Sequence, residues 1–188
     1  MSEASGGLSW ITESVVHAES DGSLNMAELV WIGEDRLAAE VIALEPGAAT
    51  LQVYEDTSGL RVGDELFGSG SPLSVRLGPG LVGSTYDGIQ RRLHLLQERS
   101  GIFIARGEKV DPLDPERQWE FEPRAEEGEE ASPGDLLGTV RETELLEHRI
   151  LVPPAVRGKI ESIVGQGSYS VEGEIAVIRD PKGEAHSL

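Results

Sequence analysis

The sequence predicts a mainly β protein: a small N-terminal β-barrel, a connector with a short helix, and a second β-rich, barrel-sandwich-like domain. Short apolar runs recur at intervals of roughly eight to twelve residues, separated by Gly, Pro, Asp and Ser, the rhythm of small barrels and sandwiches. The chain carries 23 Gly and 10 Pro in 188 residues with aromatics at 5%, a balance that favours turns over a helical bundle. Helical spacing of apolar residues occurs in a single short stretch, after Asp87.

The elements follow in order. Trp10 to Val16 reads as a first strand, ended by turn residues from Ser20 to Ser23. Met26 to Ile32 is the next, turning at Gly33-Glu34-Asp35. Arg36 to Leu44 and Ala49 to Tyr54 form a hairpin across Glu45-Pro46-Gly47-Ala48, where Pro and Gly supply the turn geometry. Leu60 to Gly63 is a turn and Asp64 to Gly68 a strand. Leu73-Ser74-Val75-Arg76-Leu77 alternates as a closing strand with one buried face. Residues 8–77 are thus the barrel. Residues 78–109 are a glycine-rich connector, in which Ile89, Leu93, Leu96 and Ser100 fall at helical spacing and Gln90 to Arg99 are good helix formers. Arg91-Arg92 reads as a solvated pair on that helix, the functional alternative being a phosphate or carboxylate contact. Ile102 to Ala105 reads as a strand.

Residues 110–180 form the second domain. Asp111-Pro112-Leu113-Asp114-Pro115 interrupts regular structure. Trp119 and Phe121 share one side of an extended segment and anchor a core. Glu126 to Glu130 is a solvated acidic loop without the spacing of a calcium loop. Pro133 to Val140, Leu151 to Pro154, Gly158 to Ile160 and Tyr169 to Ile178 repeat a turn–strand rhythm that looks like biotinyl or lipoyl carrier domains. Such carriers modify a Lys at a hairpin tip; the tip Arg141-Glu142-Thr143-Glu144 has none, so a carrier role is rejected.

Composition excludes several functions. A formal charge of −18 repels nucleic acid phosphates. The absence of Cys excludes disulfides and thiolate metal sites. Met1 to Gly7 lacks an apolar signal core, and no run approaches the ~18 apolar residues of a membrane helix. The expectation is a cytoplasmic protein with no direct membrane insertion. No catalytic, cofactor-binding or metal residues are assigned. His17, His94, His148 and His186 stand far apart without H-x-x-x-H or H-E-x-x-H spacing. Ser84 and Thr85 do not match G-x-S-x-G. Glu55-Asp56 precedes Thr57-Ser58-Gly59, where turn formation accounts for the carboxylates.

Three motifs carry a family resemblance. Gly78-Pro79-Gly80-Leu81-Val82-Gly83-Ser84-Thr85-Tyr86-Asp87-Gly88-Ile89-Gln90-Arg91 resembles the GPGLLG-x-x-x-DGIQRPL of the catalytic A subunit of vacuolar/archaeal-type rotary ATPases. Val53-Tyr54-Glu55-Asp56-Thr57-Ser58-Gly59-Leu60 is similar to its QVYEDTSGL, and His148-Arg149-Ile150-Leu151-Val152-Pro153-Pro154 to its EHRIMVPP. Trp119 to Pro123 resembles its WEFEP. Arg92 departs from the family's Pro, which leaves the backbone free to stay helical there. Glu13 to Ala18 departs from its usual Gly-Pro-containing opening.

The resemblance implies an N-terminal barrel, the connector, and the bulge region that distinguishes the A subunit from its B partner. It implies partners in the peripheral stalk and the B subunit, together with a nucleotide domain beyond Leu188. ATP and magnesium belong to that domain: G-x-x-x-x-G-K-[ST] occurs nowhere in these residues, and Lys109, Lys159 and Lys182 all lie outside any such loop. ATP hydrolysis by this chain alone is therefore not expected. The alternative is a free-standing, non-enzymatic β module acting as an assembly regulator or orphan binding protein. Leu81, Val82, Ile89, Leu93 and Leu96 would need cover without the nucleotide domain, which predicts self-association or disorder between Gly78 and Arg106.

Overall fold

The computed structural model describes residues 4–188; the first three residues of the Met1 to Gly7 reading lie outside it. Six strands come first: β1 (Gly6–Ile11), β2 (Val15–Ser20), β3 (Glu28–Ile32), β4 (Leu37–Glu45), β5 (Ala48–Val53) and β6 (Glu65–Pro72). They close into a barrel in the order β1-β2-β5-β4-β3-β6, all neighbours antiparallel. Period-two alternation puts Ala49, Leu51 and Val53 of β5 inside. They meet Val16, Val30, Ile32, Val41 and Leu66 in an aliphatic core. Glu28 is buried with them, its carboxylate accepting from the Asn25 N–H (2.8 Å), the Asn25 amide (3.0 Å) and the Gly70 N–H (2.8 Å). Burial pushes the Glu28 carboxyl up, but these donors outweigh it and hold it below the usual range.

The structure corrects two barrel expectations. Trp10 to Val16 is not one strand: Thr12 turns the chain, both its amide and its hydroxyl donating to the Val15 carbonyl, so β1 and β2 pair as a hairpin. Leu73 to Leu77 is not a strand either, and Val75 and Leu77 are 61% and 77% exposed. β1 pairs β6 directly, so the barrel offers no edge for another strand.

The helix is α1 (Leu93–Ser100), with Leu96 fully buried. It starts three residues later than the sequence suggests. Gln90 has φ 64° and Arg92 is extended at the N-cap, so Arg92 does not prolong the helix. The Asp87 carboxylate accepts the Ile89 and Arg91 amides, which diverts those donors from a helical ladder. Ile102 to Ala105 forms no strand; Ile102 and Phe103 are 90% and 86% exposed, and no strand pairs with them.

Eight strands follow: β7 (Trp119–Pro123), β8 (Glu130–Ala131), β9 (Leu136–Arg141), β10 (Glu147–Leu151), β11 (Gly158–Ile163), β12 (Gly167–Tyr169), β13 (Ala176–Arg179) and β14 (Ala185–Ser187). They build two four-stranded sheets, ordered β10-β9-β7-β12 and β14-β13-β11-β8. One core gathers Leu137, Val152, Ile160 and Ile178; the other gathers Trp119, Phe121, Val140 and Ile175, as the shared side of Trp119 and Phe121 predicts. Phe121 lies edge-on to Tyr169 with centroids 6.1 Å apart. Gly138 of β9 admits the Phe121 ring, with which any side chain there would collide. The protein is thus mainly β, as its sequence predicts. It comprises two compact units, one of residues up to Val75 with Thr85–Val110, the other of Arg76–Ser84 with Asp111–Leu188.

Candidate functional site

In the barrel unit, the principal polar node is built on Arg91. Its side chain is 12% exposed and that of Glu55 is 6% exposed. Arg91 Nη1 donates to Glu55 Oε2 (2.9 Å) and to the Glu108 carbonyl (3.0 Å), and Nε donates to Asp87 Oδ2 (2.7 Å). Glu55 Oε2 also accepts the Gly107 N–H at 2.9 Å. Burial opposes the Arg91 charge, but Asp87 and Glu55 outweigh it and raise the guanidinium pKa further. Arg106 and Asp35 pair nearby at 2.7 Å, and Arg99 donates to the Lys109 carbonyl at 2.9 Å. Gly107, at φ 68°, passes so close to the Asp35 carbonyl that a Cβ would overlap it. The node therefore ties the stretch around Asp87 and the return at Gly107–Lys109 to the end of β5.

This corrects the reading of Arg91 as solvated. Its partners are the chain's own carboxylates, Glu55 and Asp87, in a structural ion-pair node. Asp56 behaves as the turn chemistry predicts: its carboxylate accepts the Ser58 N–H (2.9 Å) and is held below its usual pKa by Ser58. Glu55 has a longer-range role that its local sequence does not reveal.

In the second unit, the glycine-rich loop finds a carboxylate of its own. Glu142 Oε1 accepts the Gly80 N–H (2.8 Å) and the Val82 N–H (3.1 Å). His148 Nδ1 lies 3.8 Å from Glu142 Oε2. Loop amides of the kind that cradle phosphates are here taken by a side chain of the same unit. Ser84 and Thr85 serve through their backbones, the Ser84 N–H donating to the Leu81 carbonyl and the Thr85 carbonyl accepting from the Leu93 N–H.

The histidines stay apart. His17 shares a 3.0 Å hydrogen bond with the Thr50 hydroxyl and packs on Trp10. His186 joins Asp180 and Glu184 in a cluster with one ligand atom each within 4.8 Å, the one metal-like grouping among the described residues and one that sequence spacing misses. The Asp180 carboxylate accepts the Lys182 and Glu184 N–H groups, which hold its pKa below the usual range. The β13–β14 turn accounts for this geometry.

The second unit also holds an apolar groove of about 810 Å³. The buried cluster of Trp119, Phe121, Val140 and Ile175 forms its floor. Arg117 stacks over the Trp119 ring at 3.9 Å.

A closed barrel and a two-sheet β module, with polar clusters that hold their own loops, define a two-unit β architecture. Known families place it. The beta-barrel domain of the ATP synthase alpha/beta family matches residues 14–67, and the ATP synthase alpha/beta subunit barrel-sandwich domain matches residues 110–188. The chain belongs to the ATP synthase alpha/beta family. It is 48% identical over 168 residues to the A subunit of the A-type ATP synthase of Staphylothermus marinus, covering 89% of this chain and 28% of that protein. It is 46% identical to the A subunit of the A-type ATP synthase of Methanopyrus kandleri, covering 95% of this chain and 30% of the relative. With the V-type ATP synthase alpha chain of Halothermothrix orenii it shares 41% identity over 97% of this chain and 31% of that protein. The chain spans about three-tenths of the length of these relatives. No helix among the described residues is long and apolar enough to cross a membrane.

Proposed function

We propose that these residues are the N-terminal, non-nucleotide-binding part of the A subunit of a V/A-type proton-transporting ATP synthase. In that role they contribute subunit–subunit contacts to its soluble catalytic sector. The observation that carries the reading is the succession of two family domains in one chain, with 41–48% identity to named A subunits and alpha chains over nearly its whole length. The barrel contacts neighbouring B subunits, the bulge region contacts the peripheral stalk, and the assembly is cytoplasmic and peripheral to the membrane. ATP and magnesium belong to a nucleotide domain elsewhere, since no phosphate-binding loop occurs in this sequence.

Tagging the protein in its own cells, purifying it gently and identifying what accompanies it tests this reading. Recovery of stalk proteins together with the B subunit is expected. Recovery of the chain alone would favour the free-standing β module instead. The purified 188 residues should neither turn over ATP nor release heat on titration with it.

A further inference from the structure

β10 is paired on one side only, by β9, at the edge of its sheet. The Glu142 N–H bonds the Leu146 carbonyl at the hairpin turn. With the register Glu147↔Arg141 and Arg149↔Thr139, the alternation of antiparallel ladders turns the backbone groups of Glu147 and Arg149 away from β9. These groups form an open template. Consecutive residues from His148 to Leu151 line the groove, as an edge does and a face does not. Tyr169, from β12 at the opposite edge of the same sheet, lines it too. Residues from both edges of the sheet therefore border one slot above an aromatic floor.

The charge of the slot is as selective as its shape. The chain holds 34 Asp and Glu, yet no Asp or Glu is among the described residues that line the groove, whereas exposed Arg149 and half-buried His148 are. The indole N–H of Trp119 is buried without an acceptor, one donor the folded chain leaves unused.

We infer that this groove is a strand-accepting site that docks an extended segment of a partner protein, apolar at alternate positions and carrying a carboxylate opposite Arg149. Backbone hydrogen bonds to β10 supply the pairing, the apolar lining beside that edge at Ile150 and Val152 takes the apolar side chains, and Arg149 selects the acid. The five residues of β10 span roughly 17 Å, which sets a matching segment of about five to six residues. The inference stands on the groove and not on the assembly proposed above.

The test pans a random octapeptide display library against the full 188-residue chain, then follows amide exchange with the enriched peptide bound. Peptides that alternate apolar residues with Asp or Glu are expected, with Glu147 and Arg149 amides exchanging at least ~10-fold more slowly in the complex. Arg149→Glu should weaken the acidic peptides by at least ~10-fold and shift enrichment towards Lys and Arg. An unchanged near-ultraviolet circular dichroism spectrum from the aromatic floor would show that the variant is folded. Failure to enrich any peptide, or binding without protection of β10, would overturn the inference. A dimer of the chain alone with β10 already protected would overturn it equally, since a second copy would then fill the slot.

Discussion

The two units solve the same problem, burying apolar strand faces, in opposite ways. The barrel closes on itself through β1 and β6 and keeps an aliphatic core without an aromatic ring among its buried described residues. The second unit leaves two sheets open and builds one of its cores from Trp119, Phe121 and Tyr169. Closure removes strand edges altogether. Open sheets retain them, and large rings then cover area that a missing strand would have covered. The barrel is thus the self-sufficient unit, and the second unit is where unmet pairing capacity collects.

Core truncation should break this contrast most sharply. Phe121→Ala is expected to cost about 3–5 kcal/mol and Leu51→Ala about 2–5 kcal/mol. Differential scanning calorimetry should show two transitions, with Phe121→Ala lowering only the one assigned to the second unit. A single transition displaced by either variant would merge the two units into one cooperative block.

Arg91→Met sharpens the contrast inside the barrel unit. It leaves Glu55 and Asp87 facing each other without their shared cation, a loss of about 3 kcal/mol for a buried pair. Amide exchange should accelerate from Thr85 to Val110 while β1–β6 keeps its protection. Equal acceleration in both would make the node part of the barrel core.

Glu28→Gln should cost about 1–3 kcal/mol, because three donors lose a charged acceptor. Glu28 titrates below its usual value when folded, so its contribution is present above about pH 4.5 and fades as pH falls below that. Acid denaturation of the variant should lack that segment of the pH dependence.

Tyr54 offers the smallest effect. Its hydroxyl donates to the Glu40 carboxylate, and this bond, with burial and the Glu40 charge, raises its pKa to about 12. The raised value stabilises the fold below pH ~10, and that contribution is lost as pH climbs from there through about 12. Ultraviolet titration should place the Tyr54 midpoint near its ordinary value in Glu40→Gln.

Strands were legible where punctuation and alternation agreed. Glu45-Pro46-Gly47 marks the β4–β5 hairpin, and the shared side of Trp119 and Phe121 marks the second core. Errors arose where a side chain competed for backbone donors or where no partner edge existed. Asp87 delays the helix by taking the Ile89 and Arg91 amides, and Leu73 to Leu77 alternates without a strand to pair with. The polar nodes were hidden for another reason. Glu55 meets Arg91 across 36 positions and Glu142 meets Gly80 across 62, distances that only the folded topology brings together. The groove was illegible too, because an unpaired edge is a property of strand order and not of any strand.

The distribution of the chain between the units has a consequence for inheritance. Residues 76–84 belong to the second unit but lie within the sequence span of the first. A single crossover or gene fusion at any of the three boundaries would carry one unit away with a missing piece or a foreign fragment. Recombination can therefore transmit these two units as a set, or replace each only by a matched insertion at two places at once.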